Sequence, residues 1–154
     1  MSIIPPAKAE SLHEFCAEVC RGNEVAMQWC DLWMVYCHEI DDLIDTREDG
    51  RPTFSAEQIL KIPINALILY NHPFYLANRE NLMPLVLSIT NAYADSVQFE
   101  KAADPTQRSI ADIIRCCGNE MFMMVALICG GWEHMRKVSP RIRVRSYQLQ
   151  HDNG

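Results

Sequence analysis

The chain predicts an all-α fold, a compact bundle of about five helices. Three observations carry this. Capping signals recur: Ser11-Leu-His-Glu14, Ser55-Ala-Glu-Gln58 and Asp104-Pro-Thr-Gln107 each place a side-chain acceptor before a helical run. Apolar residues return at helical spacing, as in Trp29, Trp33, Tyr36 and Ile40. Period-two alternation is confined to Arg141-Ile-Arg-Val-Arg145, which follows Pro140 and reads as a tail.

Each element follows in order. A first helix is expected from Leu12 to Arg21, stopped by Gly22. Asn23 can cap a second that runs to Asp45. Thr46 to Thr53 is polar, holds Gly50 and Pro52, and reads as a loop. A third helix spans Ala56 to Tyr70, with Pro63 as a point of kinking. A fourth is expected to start near Met83-Pro84 and reach Ala102. A fifth runs from Pro105 to Cys129 or Lys137, with Gly118 marking a close backbone approach. Residues 1–10 read as an N-terminal extension, 11–137 as one helical domain and 138–154 as a basic tail.

With 154 residues, 49% hydrophobic and 22% charged, the chain can bury a core without disulfides. A net charge of −6 argues against a general nucleic-acid binder. Nucleic acid is a partner only through the tail, where Arg136, Lys137, Arg141, Arg143 and Arg145 collect. The longest apolar run, Met121 to Trp132, has 12 residues, short of the roughly 18 or more of a membrane span, and reads as a buried core helix. The N-terminus has no signal-peptide pattern, and seven cysteines is an odd number. Both point to reduced thiols and a cytoplasmic setting.

The run Cys37-His-Glu-Ile-Asp-Asp-Leu-Ile-Asp-Thr46 is the most informative. On a helix His38, Asp41, Asp42 and Asp45 fall within about 100° of one another, opposite the tryptophans. Three carboxylates near a helix C-terminus repel each other and oppose the macrodipole. A bound cation neutralises them, and hard oxygen ligands suit Mg2+ or Mn2+. Arg47 and Arg51 follow directly and can pair with phosphate. On the fifth helix, Arg115 and Asn119 share a face with Asp112, and Glu120 sits at its edge. An acidic face opposite an apolar stripe is equally what a solvated helix presents.

Asp41-Asp42-Leu-Ile-Asp45 resembles the DDxxD motif of class I isoprenoid (terpenoid) synthases. Gly50-Arg51-Pro52 is similar to the charged loop that follows it in the prenyltransferase branch. That resemblance implies an all-α fold binding a diphosphate through Mg2+. Of the second terpene-cyclase motif, NxxxSxxxE, Ser96 and Glu100 match, while the first place holds Ala92. Glu39-Ile-Asp-Asp42 is similar to half of the paired motif of all-α nucleotide pyrophosphohydrolases; Glu14 and Glu18 imperfectly supply the other half.

Two functions follow as expectations. One is a Mg2+-dependent enzyme acting on a nucleotide or prenyl diphosphate, a hydrolase or a prenyl-diphosphate lyase or transferase. Asp41, Asp42 and Asp45 would hold the metal, Glu39 and Glu120 act catalytically, and His38, Arg47, Arg51, Arg115 and Asn119 bind substrate. The other is a non-enzymatic interaction or oligomerisation protein. A homo-oligomer is expected in either case, and could complete a metal site across a two-fold axis.

Overall fold

The computed structural model describes residues 12–48 and 54–151. Its described residues are helical, with turns between and no strand. The expected N-terminal extension, the Ser11 cap and Arg51 lie outside the described residues, as does the side chain of Arg47.

Helix α1 (Leu12–Val19) ends earlier than expected. The Gly22 amide donates to the Ala17 carbonyl at 2.9 Å and that of Arg21 to Glu18 at 3.1 Å. This is a Schellman-type end, with Arg21 in the left-handed position (φ 51°) and Gly22 following it at φ 73°. Helix α2 (Glu24–Glu48) is capped as expected: Asn23 Oδ1 accepts from the Ala26 amide at 3.1 Å. It runs three residues past Asp45.

Helix α3 (Ala56–Tyr70) carries both halves of the Ser55–Gln58 capping box and continues through Pro63. An unexpected short helix precedes the expected fourth. Short α4 (Pro73–Ala77) is capped by His72 Nδ1, which accepts from the Phe74 amide at 3.2 Å. Then α5 (Arg79–Glu100) starts four residues before Met83, with Pro84 inside it. The expected fifth helix is divided. Asp104 caps α6 (Pro105–Ile114), a 3-10 turn covers Arg115–Gly118, and α7 (Asn119–His151) follows. A Cβ on Gly118 would meet nothing within 4 Å, so close approach is not its role; it closes the 3-10 turn.

Helix α7 has two arms. Gly131 breaks it with φ 76° and ψ −175°. Arg143 Nη1 donates to Glu120 Oε1 at 2.8 Å, although 23 residues separate them. Along a straight helix that spacing is roughly 35 Å. The chain therefore reverses at Gly131, and α1 lies against both arms: Phe15 packs edge-on to Phe122 of one and under Arg145 of the other.

Residues 138–151 are thus not a tail. They form the second arm of α7, with Val138 and Ile142 in the core. The alternation of Ile142 and Val144 is a helical one, Ile142 buried and Val144 exposed. By length and composition alone, an 18-residue window within Pro105–Ser146 could cross a membrane. Part of the apolar run there, Met121, Val125 and Ala126, lies in the core instead. Its last residue, Trp132, is exposed.

The core is centred on Trp29. Its indole N–H donates to the Leu69 carbonyl at 3.1 Å, and Trp33, Phe74 and Tyr75 surround the ring.

Candidate diphosphate-binding face

The second half of α2 presents its carboxylates to two different neighbours, α5 and α3. Asp41 accepts a short hydrogen bond from the Tyr93 hydroxyl of α5. Tyr93 is half-buried, and its pKa is pushed up by burial first and then by this bond to Asp41. Asp45 and Arg115 also act on the Tyr93 hydroxyl, Asp45 raising its pKa and Arg115 lowering it. Asp41 is therefore bonded to Tyr93, and the charges of Asp45 and Arg115 act electrostatically on the same hydroxyl, a charge cluster drawn from α2, α5 and the 3-10 turn.

Arg115 is held at that cluster by Glu100. Its Nη2 lies 2.6 Å from Glu100 Oε2, with both side chains about a third exposed. Ser96, one turn earlier on α5, is buried and donates to the Tyr93 carbonyl at 2.7 Å. The partial second motif, Ser96 and Glu100, thus shapes the wall opposite the first. Burial chiefly, then Cys117 and Asp41, push the Cys37 thiol up to about 12.

Other expected site residues are placed elsewhere. Both oxygens of Glu39 accept from Asn65 Nδ2 of α3 at 2.8 Å. On α2, Glu39 and Asp41 are two residues apart and so point to nearly opposite sides. Glu39 is an anchor between α2 and α3. Glu120 accepts from Arg143 on the other arm of α7 and is 44% exposed, not enclosed in the core. Glu18 pairs with Arg141, and Glu14 is exposed. His38 and Asp42 are exposed, and Asn119 is half-buried.

Tyr93 escaped the sequence reading because an aromatic on a helix reads as core. The available signal was its position: Tyr93, Ser96 and Glu100 recur at i, i+3 and i+7, one helix face. Among the described residues, no three His, Cys, Asp or Glu side chains converge as a ready-made metal cage.

Compared with known proteins, the chain matches no family model, no curated protein and no solved structure.

Proposed function

We propose that the chain is a Mg2+-dependent enzyme acting on a diphosphate-containing substrate, a nucleotide or a prenyl diphosphate. One observation carries this reading: the Tyr93 hydroxyl is bonded to Asp41 and feels the charges of both Asp45 and the Arg115 guanidinium. Carboxylates that suit a hard cation thereby lie near a group that suits phosphate oxygens. Mg2+ is commonly bound by one or two carboxylates plus substrate phosphates and waters, so a two-carboxylate pair fits a metal that arrives with its diphosphate. When bound, the metal would offset charge on the diphosphate oxygens.

The chain's own residues have distinct parts in this reading. Asp41 and Asp45 hold the cation, and Asp42, exposed one position along, is the third carboxylate available to it. Tyr93 fixes the carboxyl group of Asp41 by its hydrogen bond. Arg115, kept in place by Glu100, binds the diphosphate. Glu39 and Glu120 hold helices together through Asn65 and Arg143. The arrangement would be a terpenoid-synthase-like or pyrophosphohydrolase-like bundle. Among the described residues no cysteine is joined in a disulfide, which supports a cytoplasmic setting.

The test is a screen for Mg2+-dependent release of phosphate or pyrophosphate from nucleoside and prenyl diphosphates. Asp41→Asn/Asp45→Asn should lose turnover about 100-fold or more while keeping its helical content. Unchanged turnover in that variant would overturn the assignment.

A second reading has its own observation. Leu60, Ile64, Leu67 and Ile68 form an exposed apolar stripe on α3, bordered at its start by the Glu57–Lys61 ion pair. Recurring at i, i+4, i+7 and i+8, they fit the apolar face of a partner helix. A second copy of α3 would cover that stripe with its own apolar face, giving a homo-oligomer. Under this reading the chain is an interaction protein, and Leu60→Glu/Leu67→Glu converts it to a monomer in sedimentation. A wild type that is already monomeric excludes it.

A further inference from the structure

The reversal of α7 turns on a single residue. Gly131 leaves helical geometry at φ 76° and ψ −175°, between two helical arms. Connections between packed helices usually take about two to eight residues, so this one is short. Its dihedral pair lies in a region open essentially to glycine alone. The reversal also needs Gly130, where an added Cβ would stand 2.5 Å from the Cβ of His134. On a straight helix the Cβ atoms of residues four apart are about 5–6 Å from each other, so straightening removes that clash.

The second arm is held by α1 and by the first arm. Arg141 pairs with Glu18, and Arg145 lies over the Phe15 ring. His134 Nε2 donates to the Val19 carbonyl at 2.9 Å, and Arg143 pairs with Glu120 of the first arm. Val138 and Ile142 are buried in the core. Each contact needs an arm in this place. None needs that arm to belong to the same chain.

We propose that the second arm of α7 is exchanged between two copies of this chain. With Gly131 in helical geometry α7 runs straight, and its second arm leaves its own α1 for the α1 and first arm of a second copy. The second copy's arm does the same in return, so the dimer is two-fold and closed. The contacts of the monomer recur between copies: Arg141 of one meets Glu18 of the other, and Arg143 meets Glu120. A short, strained hinge favours such exchange, because the straight form releases the hinge and keeps the contacts. The acidic face draws on α2, α5 and the 3-10 turn and stays within each copy, so the exchange does not rest on the diphosphate reading.

The test refolds the full chain from urea at a range of concentrations and reads its mass by sedimentation velocity. Wild type should give a dimer when refolded concentrated and a monomer when refolded dilute. Gly131→Ala should lower the dimer dissociation constant about a hundredfold, about tenfold for each hinge released, and Gly130→Ala should act in the same direction. Three glycines inserted after Gly131 relax the turn and should leave a monomer at every concentration. Mixing separates arm exchange from a dimer through α3. Glu18→Arg and Arg141→Glu each set like charges against each other when refolded alone. Refolded together, an exchanged heterodimer restores both pairs, so native mass spectrometry should show it well above the statistical half of all dimers. A heterodimer share at or below that half overturns the exchange. So does a dimer that survives the glycine insertion, or a folded Gly131→Ala protein that stays monomeric when refolded concentrated.

Discussion

The two halves of α2 solve different problems with one helix. The first half buries Trp29, Cys30 and Trp33, and sets the Trp29 indole among the rings of Trp33, Phe74 and Tyr75. The Trp29 indole N–H, buried there, finds the Leu69 carbonyl. The second half, from Cys37 onward, is only partly covered and spends its carboxylates on Asn65 and Tyr93. Packing holds the first half and polar pairing the second. A half-covered acidic helix end that is cross-linked to its neighbours keeps carboxylates both positioned and reachable, as a cation site requires.

The largest expected break of that comparison is Trp29→Ala. Removing a fully buried indole with three aromatic neighbours should cost about 3–5 kcal/mol in urea unfolding. A loss below about 1 kcal/mol would mean the first half is not the packing centre.

Tyr93→Phe tests the second half. It deletes the donor to Asp41 while keeping the ring, and should cost about 1–2 kcal/mol at pH 7. If the variant is as stable as the wild type, Tyr93 does not hold Asp41.

Alkaline titration sharpens the comparison with a smaller effect. Burial, followed by Asp31, raises the Cys16 pKa from 9.0 to about 11, and Cys37 rises to about 12. Both groups are held neutral by the fold. They add stability that is complete below pH 9 and fades as the pH rises through about 11 to 12. Melting temperature should fall progressively above pH 9, and Cys37→Ala should flatten part of that fall. A melting temperature that is level from pH 8 to 11 contradicts the placement of these thiols.

Features set by neighbouring residues were legible in the sequence. The caps at Asn23, Ser55 and Asp104 depend on atoms two or three positions away, and all three form. The tryptophan stripe also faces inward as its spacing requires. Features set across the fold were not legible. Arg141, Arg143 and Arg145 read as a tail because their partners Glu18, Glu120 and Phe15 come close only when α7 reverses at Gly131. The candidate site divides in the same way. The periodicity of α2 put Asp41 and Asp45 on one face, and Arg115 was visible on a helix face of its own with Asp112 and Asn119. Tyr93 and the diversion of Glu39 to Asn65 depended on which helices stand beside α2.

The central claim is that the Asp41/Asp45 face binds Mg2+ together with a diphosphate. The most direct measurement is thermal unfolding titrated with Mg2+, with and without pyrophosphate, on wild type and Asp41→Asn/Asp45→Asn. At 100 times its dissociation constant a ligand of the folded state adds about 2.7 kcal/mol, a rise of roughly 5–11 °C for a chain of this size. The account predicts that rise for wild type with both ligands and none for the variant. No response from either protein, with the variant more stable than wild type, would contradict it and leave the acidic face as solvated, self-repelling surface.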